Sequence, residues 1–91
     1  MKTVRLRVRG RVQGVGYRAW AIETAGTLQL RGWVRNRADD SVEMLVTGAD
    51  DAVEAMVEAC RRGPPGARVT EVETAAAEDD GSPAFVARST E

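Results

Sequence analysis

The sequence predicts an α+β sandwich, an antiparallel sheet with two helices on one face and the other face open. Three observations predict it. Stretches of period two alternate with stretches of helical period, in the order strand, helix, strand, strand, helix, strand, with a short extra strand near the C-terminus. Turn signals fall between these stretches. Finally, 91 residues suffice for one small domain with one core, and no linker or internal repeat divides residues 1–91.

Each element has a local reason. Residues 3–9 alternate Val4, Leu6 and Val8 with Arg5, Arg7 and Arg9, so one face is buried and the other wet. Gly10 to Tyr17 carries three glycines and reads as a loop. A helix starts near Arg18, with Ile22, Ala25 and Leu28 at helical spacing. Gly32 to Arg37 and Ser41 to Thr47 are strands joined by an Ala38-Asp39-Asp40 turn. Asp50 or Asp51 can cap a second helix with the stripe Val53, Met56, Val57 and Cys60, which Gly63-Pro64-Pro65-Gly66 stops. Arg68 to Thr74 is the fourth strand, Glu78 to Pro83 a polar, mobile loop, and Ala84 to Arg88 the last strand. This order is the split unit of the ferredoxin-like sandwich, βαββαβ. Arg5, Arg7, Arg9, Trp33, Arg35, Glu43 and Glu71 or Glu73 fall on its open face, where a cross-strand Arg–Glu lattice keeps the surface soluble.

Composition narrows the chemistry. The chain is 43% hydrophobic and 30% charged, as in ordinary globular proteins. No apolar run approaches the roughly 20 residues of a membrane span, and the N-terminus lacks the apolar stretch of a signal peptide. A single cysteine, Cys60, forms no internal disulfide and sits on a helical core stripe, so the expected location is the cytoplasm. With no histidine, a Ser-His or Cys-His nucleophile is excluded, and zinc has no ligand set. The pairs Asp39-Asp40, Asp50-Asp51 and Asp79-Asp80 read as turn residues and helix starts rather than metal ligands. A net charge of -1 and a first strand without aromatics argue against nucleic acid. No metal, cofactor or membrane is expected, and a monomer suffices.

The informative stretch is Gly10-Arg11-Val12-Gln13-Gly14-Val15-Gly16-Tyr17-Arg18 between a strand and a helix. Glycines there let main-chain amides converge, the helix N-terminus adds positive potential, and Arg18 can grip an anion with its planar fork. It is not a Walker loop, since no Lys-Ser or Lys-Thr follows the last glycine. From spacing alone the stretch reads equally as a plain strand-to-helix turn with a solvated arginine. Asn36 shares strand parity with Val34, so both point to the helix-covered side. By itself it reads as a strand-end residue satisfying a turn.

These residues carry a resemblance. Gly10-x-Val12-Gln13-Gly14-Val15-x-x-Arg18 resembles the first acylphosphatase signature, and Gly32-Trp33-Val34-Arg35-Asn36 its second. The likeness runs from about residue 4 to residue 88. It implies the ferredoxin-like fold and hydrolysis of an acyl phosphate to a carboxylate and inorganic phosphate. It also implies that Arg18 binds phosphate, that Gln13, Gly14, Val15, Gly16 and Tyr17 form the phosphate cradle, and that Asn36 orients water. The alternative is a non-catalytic ferredoxin-like module that binds an anion or partner through the same loop. The chain ends with the domain, which favours a free-standing enzyme. Two positions depart from the family pattern: Gln29 stands where a glycine is common at the end of the first helix, and Asp40 where one is common in the hairpin. Gly26 inside the first helix costs about 0.5–1 kcal/mol relative to alanine. These three bear on stability, not on the signatures.

Overall fold

A computed structural model describes residues 1–91. Its elements are β1 (Lys2–Arg11), α1 (Tyr17–Thr27), β2 (Arg31–Asn36), β3 (Val42–Gly48), α2 (Asp50–Cys60), β4 (Arg68–Ala76) and β5 (Phe85–Ala87). One sheet orders them β4-β1-β3-β2-β5. Both helices pack on one face. Val4, Leu6 and Val8 of β1, Val34 of β2 and Met44 and Val46 of β3 meet Tyr17, Ala21 and Ala25 of α1 and Val53, Met56 and Cys60 of α2 in one buried cluster. Fully burying one such Val, Leu or Met contributes about 1.5–3 kcal/mol.

Four expectations are corrected. The sheet is mixed rather than wholly antiparallel, because β5 runs parallel to β2, with Trp33 opposite Val86. The chain enters β5 from a long crossover, so direction is set by where the loop lands and not by a hairpin.

The face without helices carries the expected arginine–glutamate pairing and also buries two apolar side chains. Trp33 and Leu45 are buried there, and the guanidinium carbons of Arg35 and Arg88 stand 4.5 and 5.2 Å from the Trp33 ring centre. Glu43 is 7% exposed beneath Arg5, Arg7 and Arg37, which pair with it at 3.6, 3.6 and 3.3 Å. The long arginine stems cover the central strand while their charged heads reach water.

Neither Asp50 nor Asp51 caps α2. Ala49 occupies the cap position, and both aspartates lie in the first turn, where negative charge still favours the helix dipole. Finally, the loop expected to be mobile is tied down: Arg31 donates to Asp79 at 2.6 Å and to the Ser82 carbonyl at 2.8 Å, and Arg88 pairs with Asp80 at 3.5 Å. The helical stripe of α1 also shifts, so that Tyr17, Ala21 and Ala25 are buried while Ile22 and Leu28 are half-buried against the core.

Candidate active site

β1 and β2 are both antiparallel to β3, so they run parallel and finish at the same end of the sheet. That topology brings the loop after β1 and the last residue of β2 together. Val12, Gly14, Gly16, Tyr17, Arg18, Ala19 and Asn36 line one recess of about 210 Å³. Arg18 and Asn36, 18 positions apart in sequence, therefore face a common space.

The loop is shaped to present main-chain donors. Gly14 and Gly16 take φ of +75° and +80°, the left-handed region that L side chains rarely adopt. Alternation of left-handed glycines with ordinary residues turns successive N–H groups to one side, which makes an anion nest. None of the amides from Gln13 to Ala19 donates to an acceptor within the chain. Those of Tyr17, Arg18 and Ala19 are the orphan donors of the first turn of α1, with Gly16 as its cap. A tetrahedral oxyanion would satisfy such amides, and the helix dipole favours its charge.

Side chains in the loop do other work than their backbone. The Gln13 amide nitrogen donates to the carbonyls of Arg37 and Ser41, each at 2.9 Å. It thus braces the loop against the hairpin that begins immediately after Asn36. The Tyr17 hydroxyl donates to the Cys60 carbonyl at 2.7 Å, joining α1 to the end of α2. Burial pushes this phenol well above its usual range, so it stays neutral. The same burial pushes the Cys60 thiol up to about 12, which removes it as a nucleophile at neutral pH. Val15 turns its side chain toward Gly66. Gln13, Val15 and Tyr17 can therefore serve an anion only through their amides.

Arg18 makes no ion pair, and neither its guanidinium nor the Asn36 side-chain amide hydrogen-bonds to the protein, whereas neighbouring Arg35 and Arg37 are engaged by Glu91 and Glu43. The two residues are fixed by their elements and free at their tips. Sequence reasoning did not pick out Val12 and Ala19 as lining residues. Val12 continues the buried parity of β1, and Ala19 leaves room by being small, so neither carries a chemical signal of its own.

Chemically, the recess offers a cationic planar fork, a row of amides and one neutral amide side chain. It contains no histidine and no carboxylate, which suits stabilisation of an oxyanion rather than proton transfer.

Comparison with known proteins agrees in sequence and in structure. The family described as acylphosphatase matches residues 4–86. A protein named acylphosphatase from Rhodospirillum rubrum is 60% identical over 72 residues, 79% of each chain. Another of that name from Rhizobium etli is 52% identical over 82 residues, 90% of this chain and 87% of that one. The crystal structure of acylphosphatase from Bacillus subtilis matches with a TM-score of 0.93 at 37% identity, covering 97% of this chain and 99% of that one.

Proposed function

We propose, from the premise that the chain belongs to the acylphosphatase family and hydrolyses acyl phosphates to a carboxylate and inorganic phosphate, that Arg18 and the amides of residues 13–18 hold the phosphoryl group while Asn36 orients the attacking water. The observation that carries this reading is the shared recess, with an unpaired guanidinium and unpartnered amides on one wall and Asn36 on another.

The chemistry asks little else of the protein. Phosphoryl transfer is catalysed by positioning and by charge stabilisation on the equatorial oxygens. Arg18 offers two parallel N–H groups in the geometry of two phosphate oxygens, and the loop amides take the third. The Asn36 side-chain carbonyl can accept a hydrogen bond from water, and its amide can donate to the same water or to the phosphoryl group. The leaving carboxylate has a conjugate acid of pKa roughly 4, so it departs without a general acid. No resident metal or cofactor enters this reading.

The chain acts on a small-molecule substrate as a monomer in the cytoplasm, without nucleic acid or membrane. Its single cysteine, Cys60, is buried in the core rather than offered for pairing, and its Arg–Glu lattice neutralises the arginine-rich face; both support that setting. No helix is long and apolar enough to cross a membrane.

Two measurements test the reading. Purified protein should consume a generic acyl phosphate at the same rate with and without a chelator; a rate that the chelator abolishes rejects the metal-free mechanism, and no turnover at all favours a binding module. Asn36→Ala should lower turnover by about 100-fold, as misplacing a reactant can, yet bind inorganic phosphate nearly as well as the parent. A parallel loss of phosphate affinity would move Asn36 into the cradle.

A further inference from the structure

Charge pairing in this molecule changes character at one place. Arg5, Arg7, Arg9, Arg31, Arg35, Arg37, Arg61 and Arg88 each face a carboxylate within 4.0 Å. Arg11, Arg18, Arg62 and Arg68 do not. All four sit at the end of the sheet that carries the recess. Arg18 lies in the first turn of α1, Arg11 is the last residue of β1 and Arg68 the first of β4, and Arg62 follows the C-terminal end of α2.

The β1–β4 ladder shows the change directly. Arg7 stands opposite Glu73 and Arg9 opposite Glu71, but Arg11 stands opposite Arg68. Like charges directly opposite destabilise a sheet, so this pair works against the fold unless an anion joins it. Both residues are exposed, and nothing in the chain supplies that anion. Asp39, the hairpin carboxylate at this end, is held by Ser41, Arg9 and Arg7. The backbone brings both residues near the cradle. Arg11 leads into the loop, and the bend before Arg68 touches it, since a side chain grown at Gly66 would meet Val15 at 3.6 Å.

We infer that Arg11 and Arg68 read a second negative charge on the acyl end of the substrate, so that acyl phosphates whose acyl chain ends in a carboxylate are preferred over neutral ones. This rests on the placement of the phosphoryl group at Arg18 and the loop. The phosphoryl end is common to every acyl phosphate and cannot discriminate among them. A cationic pair at the same end of the sheet, just outside the residues that line the recess, can. It also steers a substrate charged at both ends toward the recess before docking.

Succinyl phosphate and butyryl phosphate provide the test, because they share chain length and differ in the terminal carboxylate. At low ionic strength kcat/KM for succinyl phosphate should exceed that for butyryl phosphate by about fivefold, the scale of a few exposed charge contacts. In the double variant Arg11→Gln, Arg68→Gln the ratio should fall toward one. Arg68→Glu should take it below one while raising the thermal midpoint, since it turns a repulsive pair into an attractive one and thereby reports on folding as well as on specificity. A ratio near one in the parent, or an unchanged ratio in the double variant, overturns this inference alone. Failure of the parent to hydrolyse either compound overturns the hydrolase reading and this inference with it.

Discussion

At Arg18, charge and shape are separable by substitution. Lysine keeps the charge and loses the planar fork that matches two oxygens at once. If the interaction strengthens in the transition state, Arg18→Lys should lower kcat/KM by about 100-fold or more, the scale of losing an oxyanion donor. A variant within a few-fold of the parent would make Arg18 a general source of charge. Gln13 makes the complementary point, because its side chain works away from the anion. Its amide donates to two carbonyls of the hairpin mouth, and those carbonyls would repel a carboxylate. Gln13→Glu should therefore lower the unfolding free energy by about 1–3 kcal/mol and depress kcat more than phosphate affinity, because the loop loses its register with Asn36. An unchanged denaturation midpoint would show that the brace is not needed. The identity of Gln13 was legible as part of a signature, but its brace was not, since the acceptors lie 24 and 28 positions away.

The ends of the elements show where local chemistry decides. α1 closes with Leu30 N–H on the Ala25 carbonyl and Gln29 N–H on the Gly26 carbonyl, the two bonds of a Schellman cap. That cap puts Gln29 at φ +57°, a conformation that costs an L side chain about 1–2 kcal/mol and glycine nothing. Gln29→Gly should raise the unfolding free energy by about 1 kcal/mol, read as a higher denaturant midpoint at unchanged specific activity. A lower midpoint would mean that the Gln29 side chain or its stiffening of the unfolded chain outweighs the strain. Asp40 likewise takes φ +74° in the hairpin, as its position in the turn predicts. These ends were legible because caps and turns are written in neighbouring residues. The start of α2 was misplaced by one or two residues for the same reason: Asp50 and Asp51 are both good cap residues, and the chain uses Ala49 instead while the Asp50 carboxylate reaches the N-terminal ammonium at 3.3 Å.

Across the whole molecule, carboxylates hold the connections that sequence left loose. The Ser41 hydroxyl and amide, with Arg9 and Arg7, keep the Asp39 carboxyl far below its usual range. Arg31 lowers Asp79, and Ser82 with Arg88 lowers Asp80. A carboxyl whose folded pKa is depressed contributes stability that is present above its unfolded value, about 4, and is lost as pH falls through the folded value. Stability should therefore decline from about pH 4 downward. Asp39→Asn should be less stable near pH 7 and show a shallower acid decline. Parallel acid profiles for parent and variant would mean that Asp39 is no better held in the folded chain than in the unfolded one. These groups lie at the surface, so high salt should shrink the effect.

What the sequence by itself determined is everything encoded by near neighbours: the period of each strand and helix, the glycine loop, the turn residues and the two signatures that place Arg18 and Asn36. Their order was enough to predict the sandwich, because a split βαβ unit has few ways to bury its apolar faces. Only the tertiary structure decided that Arg18 and Asn36 line one recess, that Gln13 braces it and that Tyr17 ties its floor to Cys60. It alone decided that β5 returns parallel to β2, that arginine stems roof the open face, and that Arg11 meets Arg68 where earlier rungs of the ladder pair arginine with glutamate. The physical reason is range. Backbone preference and amphipathic period act over a few residues, whereas contacts across a sheet depend on register and crossover direction, which no short window of sequence contains.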